Sequence, residues 1–490
     1  MTKISVISLT TLAMVLGGCG IFSPEYHQPK IDTPVSTKNG TMIESSNIDF
    51  SQLEWWKKLN DPVLNQLIVL AFANNAQIQV AQGNIMKAEA SLKAAQYAWI
   101  PTLSALGGGF AGNTWASSLT PQGALAASPA AQSGNIANMN FSGLYGGFVP
   151  SYSFNVFANI NQAKLAKASL DMQKALYNAT RLTIIGQVSG GYFTLLAQKK
   201  QLALQEQMIA DLMELRRLEM IQVNNGAADL GNITSYDQEI SSNQAKLPKI
   251  KNSISQTENA LRVLINENPG IIVTNGSIDK LVTDNLIPAN IPSSVLKNRP
   301  DVIQAEDSLK MANANVGLAN SQFFPTISLT GFAGGASEAL SNLFNLGTGF
   351  WMGSALVSMP VINASTYERV NVEKGGYYAG YYSYMQTVKS AFQNVDNSLT
   401  NKENMDKIYA ETLKSYKAAN DNYKINQIQF KAGNSALNNV IKSKLNLDNA
   451  SLGLLQAKSQ QLDALVQVYQ ALAVGYAAES ELSKPKVLAD

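Results

Sequence analysis

Apolar residues recur along this chain with two periods, and each period predicts a different element. Val188, Leu195, Leu202 and Ile209 stand seven residues apart, with Val223 in phase and Arg216 interrupting. Ile233, Ile240, Leu247, Ile254 and Leu261 keep the same spacing, as do Tyr409, Tyr416, Tyr423 and Phe430. A seven-residue period marks helices packed side by side along a narrow seam. No proline lies between Pro150 and Pro248 or between Pro360 and Pro485, which permits long uninterrupted helices. The span Asn159 to Asn225 amounts to roughly 100 Å of helix at 1.5 Å per residue. A compact domain has no use for that length, whereas a rod or a tube has.

The second period is two. Ser151-Tyr152-Ser153-Phe154-Asn155-Val156 and Thr326-Ile327-Ser328-Leu329-Thr330 alternate polar and apolar, so each predicts a strand with one wet face and one apolar face. Four strands are predicted at about 101–112, 148–158, 325–335 and 350–360. The joining stretches 113–147 and 336–349 are rich in Gly, Ala, Ser and Asn. Trp99, Phe157, Phe323, Phe324 and Trp351 cluster at or near the strand ends, where membrane barrels carry interfacial aromatics. A transmembrane barrel needs at least eight strands, and an unclosed edge in lipid leaves backbone groups without partners. The alternative is a small soluble sheet with one buried face; on the barrel reading, several chains must contribute to one barrel.

The chain also repeats itself. Trp99-Ile100-Pro101-Thr102-Leu103-Ser104 returns as Phe323-Phe324-Pro325-Thr326-Ile327-Ser328, and Gly226-Ala227-Ala228-Asp229-Leu230 returns as Gly433-Asn434-Ser435-Ala436-Leu437. The order in each copy is helix, strand pair, long helix, Gly turn and returning helix. The implied organisation is residues 61–270 as one repeat, 271–290 as linker, 291–478 as the second repeat and 479–490 as a tail. Repeats of strand and long helix describe a shape before they describe chemistry.

Composition narrows the function. Charged residues are only 15% and the formal net charge is +2, which gives no footprint for nucleic acid. One Cys and one His exclude an internal disulfide and a Cys/His metal site. No Gly-rich phosphate loop or nucleophile–base set appears, so neither an enzyme nor a cofactor is expected. Lys3, an apolar run from Ile4 to Leu16 and Leu16-Gly17-Gly18-Cys19 describe a signal peptide over residues 1–18; its small residues before Cys19 resemble a bacterial lipobox, the alternative being an ordinary signal peptide that ends near a Cys. Cys19 is the predicted lipidation site, and 19–60 is read as a lipidated extended segment. Lipid chains add membrane affinity of about 0.8 kcal/mol per buried CH2.

Arg299-Pro300-Asp301-Val302, with Ile291-Pro292, Val295-Leu296, Ala305-Glu306, Leu309, Ala312-Asn313-Ala314, Val316-Gly317, Ala319, Phe324-Pro325 and Gly331, resembles the signature of the outer membrane factors, the TolC-like channels. Trp55-Trp56, Leu59, Asp61-Pro62, Leu64 and Leu67-Ile68 resemble the start of their NodT-type lipoprotein branch. The resemblance implies a mainly α fold with a transmembrane β part. A homotrimer would then form a twelve-stranded β-barrel joined to a long, coiled-coil-like α-helical barrel. It implies an outer membrane exit duct of a tripartite efflux pump that passively conducts small molecules. The partners would be a periplasmic adaptor protein and an inner-membrane transporter of the resistance-nodulation-division type. The adaptor is expected on the helix tips, at Gly226, Asp229, Phe430 and Gly433.

The sequence departs from the family where carboxylates often ring the closed inner end. Six residues beyond each turn glycine stand Asn232 and Asn439, and three further stands Lys442. The expected gate is therefore made of Asn232, Leu437, Asn439, Val440 and Lys442, held by amide hydrogen bonds and apolar packing. The cluster Tyr377, Tyr378, Tyr381, Tyr382 and Tyr384 reads as packing between helices, and Arg299 with Asp301 as a helix start. Two other functions compete with the duct: a channel for secreted proteins, and a lipidated coiled-coil tether without a pore.

Overall fold

A computed structural model describes residues 25–29, 36–37, 40–41, 50–115, 138–226, 229–274, 276–281, 297–337, 340–343, 345, 347 and 349–477. Cys19 and the signal peptide, most of the segment 19–60, Ile291-Pro292, Val295-Leu296 and the tail 479–490 lie outside the described residues. The chain divides into two compact units, one holding residues 90–167 and 310–378, the other 28–89, 168–309 and 379–490. Each unit draws on both sequence repeats.

The first unit contains one antiparallel sheet whose strands β1 (Thr102–Trp115), β2 (Asn138–Phe154), β3 (Thr326–Ser337) and β4 (Gly349–Ser358) lie in chain order. β1 meets β2 from Thr102↔Ser151 to Trp115↔Asn138, and β3 meets β4 from Thr326↔Ser358 to Gly335↔Gly349. β2 and β3, from different repeats, pair between Leu144↔Ser337 and Phe154↔Ile327. Two boundaries differ from the sequence reading. β2 begins at Asn138, inside the stretch read as linker, because a ladder is held by backbone groups and tolerates glycine and asparagine where side-chain alternation fades. It ends at Phe154, not near 158. Asn155 then starts a helix by accepting the Ala158 N–H at 3.0 Å, which moves Phe157 from strand to helix.

Within this sheet β1 and β4 are each paired on one side only. All ten residues of β4 are exposed. A single chain thus leaves two open edges and β4 exposed on both faces, the situation that sheets avoid by closing with further strands.

Besides short 3-10 turns and a two-residue strand pair at 36–37 and 40–41, the described residues form eight α-helices: α1 (Pro62–Asn74), α2 (Ala76–Tyr97), α3 (Val156–Asn224), α4 (Leu230–Gln244), α5 (Lys246–Leu264), α6 (Pro300–Ser321), α7 (Ala364–Lys431) and α8 (Leu437–Ala471). α3 runs 69 residues and α7 runs 68. The returning arm of the first repeat is broken at Ala245, three residues before Pro248. Proline supplies no N–H and its ring clashes with the carbonyl four residues back. The second repeat lacks that proline, and α8 runs 35 residues without a break.

The second unit is built on the seams. Val188, Leu195, Ile209, Ile233, Ile240 and Leu261 are buried, and Leu202, Leu247 and Ile254 half-buried. Met208, Leu212 and Ile240 form one cluster, with Leu445 and Leu452 of α8 packed against it. The Arg216 interruption resolves into an ion pair with Asp237 on α4. Asp61 caps α1 by accepting the Val63 and Leu64 N–H groups at 3.0 and 3.2 Å, and also accepts the Tyr192 hydroxyl at 2.8 Å. Trp55 is buried against Tyr469, with ring centroids 4.4 Å apart.

Arg299 forks onto Asp301 at 3.0 and 2.7 Å and also donates to the Ala471 carbonyl. Pro300 opens α6, and Asp301 accepts the Val302 N–H at 3.0 Å. The Arg-Pro-Asp stretch therefore starts a helix and ties it to the end of α8. Of the tyrosine cluster only Tyr384 is buried; Tyr378 and Tyr382 are 65% and 54% exposed.

Candidate functional site

The strand register assigns every side chain of the sheet to one of two faces. Thr102, Ser151, Thr330 and Ser354 form a single row across all four strands. Ser104, Ser153, Thr326, Ser328 and Ser358 share that face. Its hydroxyls are linked across strands, Thr102 to Ser151 at 2.7 Å and Ser153 to Ser328 at 3.1 Å. The opposite face carries Leu103, Phe148, Tyr152, Leu329, Trp351 and Val357. Leu103 is 67% and Trp351 82% exposed. Such a sheet has water on the first face and lipid on the second when its edges are closed.

The predicted interfacial aromatics do not form one set. Trp351 projects from β4 on the apolar face. Trp99 and Phe323, in the turns before β1 and β3, are 40% and 37% exposed. Phe157, in the first turn of α3, and Phe324, just before β3, instead pack on each other, with centroids 4.0 Å apart.

The two glycine turns end α3 and α7. Gly226 and Gly433 adopt φ of 71° and 76°, the left-handed conformation that ends helices and favours glycine. Gly433 donates to the Phe430 carbonyl at 3.0 Å, and Asn434 to that of Gln429 at 2.8 Å. The helices that follow begin differently. Asp229 caps α4 by accepting the Gly231 N–H at 2.8 Å, whereas Ala436 offers α8 no side-chain cap.

The gate set divides in two. Val440 is buried and Leu437 half-buried, while Asn439 and Lys442 are exposed. Asn232 donates to Glu219 at 2.6 Å, and Asn438, not Asn439, reaches the other Glu219 oxygen at 3.4 Å. Asn439 turns back to the Ser435 hydroxyl at 3.2 Å. Glu219 is only 4% exposed. One buried carboxyl group therefore joins α3 to the first turns of both α4 and α8, its two oxygens each meeting an amide. Burial, with Glu219 and Glu239 nearby, raises the Tyr236 phenol above its ordinary range.

Sequence reasoning missed Glu219, although a signal existed. It stands seven residues before Gly226 and Asn232 six after, so a hairpin folded at that glycine brings them level. A second polar cluster was also missed. Lys444 lies 3.2 Å from Asp211 and pairs with Asp448. Burial pushes the Asp448 carboxyl up to about 6 against the pull of Lys444. Burial works against the charge of Lys444 as well, but its hydrogen bonds and attraction to both acids hold its pKa above the ordinary value.

The model of the outer membrane efflux protein family matches residues 67–267 and 291–474. The chain is 26% identical over 494 residues to the antibiotic efflux pump outer membrane protein ArpC of Pseudomonas putida, covering 97% of this chain and 96% of that protein. The open state of the MtrE outer membrane channel of Neisseria gonorrhoeae superposes with a TM-score of 0.77 at 26% identity, covering 92% of this chain and 98% of that one. The Campylobacter jejuni CmeC outer membrane channel superposes with a TM-score of 0.78 at 22% identity, covering 93% and 95%.

Proposed function

The chain belongs to the outer membrane efflux protein family, and from that premise we propose how it works as the exit duct of a tripartite pump. It is an outer membrane efflux channel. Its fold is that of the trimeric outer membrane channels, mainly α with a transmembrane β part of four strands per chain.

Three copies close twelve strands into one barrel, each β4 edge meeting the β1 edge of the next copy. The hydroxyl row Thr102, Ser151, Thr330 and Ser354 then lines the lumen, and Trp351 lies in the lipid. The single observation that carries this reading is the two-faced, open-edged sheet. Hydroxyls bind many solutes weakly, so choice among solutes and the energy source belong to partners. Those partners are a periplasmic adaptor, seated on the tips at Gly226, Asp229, Phe430 and Gly433, and an inner-membrane transporter of the resistance-nodulation-division type. The cargo is small molecules of the antibiotic kind, Cys19 carries the lipid anchor, and catalysis has no part.

At the inner end Asn232, Leu437, Asn439, Val440 and Lys442 keep the aperture narrow. Asn439 and Lys442, exposed on α8, face the pore axis, where three lysines favour anions. Planar-bilayer recording of the full protein tests both levels. Channels of low open probability are expected, with altered opening or ion selectivity in Asn439→Ala. Absence of channels refutes the duct, and an unchanged Asn439→Ala channel refutes the gate assignment alone.

A further inference from the structure

The hydroxyl face of the sheet does not stay hydrophilic along its length. One row beyond Thr102–Ser151–Thr330–Ser354 stand Ser104, Val149, Phe332 and Met352, and the next row holds Leu106, Gly147, Gly334 and Phe350. The rows pass from mostly hydroxyl to mostly apolar toward the strand ends remote from the helices, with Leu356 beside Ser328 and Ser104 beside Val149 as the exceptions. Barrel interiors that carry water are ordinarily polar, so this band is unexpected on that face.

Its side chains lie along the wall. The Phe332 ring leans over two glycines: its Cζ is 2.9 and 2.8 Å from where a Cβ on Gly147 or Gly334 would stand. Tyr145 does the same over Gly108, with its hydroxyl 2.6 Å from the corresponding point. Phe350 stands beside Phe332, with centroids 5.1 Å apart and planes at 32°. Phe350 is 47% and Met352 62% exposed. The absence of a glycine side chain lets the Phe332 ring stay close to the wall, across the strand pair from the polarisable thioether of Met352.

We propose that Phe332, Phe350 and Met352 form a subsite on the channel wall for apolar, ring-bearing solutes in transit. This rests on the reading of the hydroxyl face as the lumen. The band continues the hydroxyl-lined wall without a break, so closure of the barrel shuts lipid out and leaves water or a passing solute as its occupant. A planar ring docked there releases water from both surfaces and gains ring–ring and sulfur–ring contacts. Small hydrated ions gain nothing from it.

The test is block of single channels of the full trimer by tetraphenylphosphonium, with tetramethylammonium as the ringless control. The parent channel is expected to be blocked by the first and not by the second. Phe350→Ser and Met352→Ser, at exposed positions, should each weaken block about tenfold, and Trp351→Ser on the opposite face should not change it. If Phe350→Ser does not assemble, Phe350→Leu, which keeps the bulk and loses the ring, should weaken block by a smaller factor. Unchanged block in the Phe350 and Met352 variants overturns the subsite, as does equal block by both cations, which would place a loop or simple charge at the mouth. Loss of block in Trp351→Ser alone overturns it by inverting the two faces. A parent protein that forms no channels overturns the lumen reading instead.

Discussion

α3 and α7 are the same element twice, nearly equal in length and identical in seam register, yet they are packed differently. Between residues 203 and 224 of α3, Gln205, Met208, Ile209, Leu212, Leu215 and Glu219 are buried. Between residues 403 and 431 of α7 none is buried, and the seam tyrosines Tyr409, Tyr416 and Tyr423 are half-buried. Duplication copied the period but not the surroundings. The α3 seam is filled within the chain, by Ile240 of α4 and by Leu445 and Leu452 of α8. The corresponding stretch of α7 holds no buried residue; in the proposed trimer a neighbouring copy would cover it.

The largest effect should come from breaking the filled seam. Leu212 is fully buried, so Leu212→Ala should destabilise the folded chain by about 2–5 kcal/mol, read from denaturant unfolding of the dissociated protein. Tyr416→Ala should leave that transition in place and lower the fraction of trimer on a native gel. Equal losses in the dissociated chain would erase the contrast between the helices.

Next in size is the carboxylate that joins the tips. Glu219→Ala leaves the amides of Asn232 and Asn438 without their acceptor and should cost about 1–3 kcal/mol. Faster amide exchange in the first turns of α4 and α8 together is the expected readout. Faster exchange in only one of them would show that the other amide is held elsewhere.

A smaller effect depends on pH. Asp448 keeps its proton longer in the folded chain than in the unfolded one, because burial raises its pKa from 3.8 to about 6. Its contribution to stability therefore falls as pH rises from about 4 to about 6. Asp448→Asn should flatten that part of the profile, as seen in midpoint temperatures across the window; an unaltered slope would assign the proton to another group. The smallest change is expected from Glu411→Gln. Its exposed ion pair with Lys414 on α7 should contribute no more than about 0.5 kcal/mol.

The sequence made the periodic parts legible. Seven-residue spacing located the seams within a few residues of their ends, and alternation located the sheet, because burial is the physical origin of both patterns. The start of β2 was hidden, since glycine and asparagine carry no alternation and the ladder there relies on backbone alone. Phe157 was misplaced because Asn155 ends the strand by capping a helix, a local hydrogen bond that outweighs the two-residue pattern. The contacts at the helix tips were half legible. Counting from the turn glycines found Asn232, but the partner of Glu219 on α8 proved to be Asn438. A one-residue offset lies beyond what a loose turn repeat resolves, and Ala436 gives α8 no cap to fix its phase. The Asp211–Lys444–Asp448 cluster joins two helices far apart in sequence, and only the i, i+4 pair within α8 could have been suspected.

The seven-residue seams also restrict how such a chain can change length. A single inserted residue in α3 would rotate everything beyond it by about 100° and turn the seam away from its partners. Only a whole heptad keeps the phase, lengthening the helix by about 10 Å. The returning arm must grow by the same amount, and so must both arms of the other repeat. Growth thus requires four matched insertions, about 28 residues in all, and lineages of this protein should differ in reach by discrete steps.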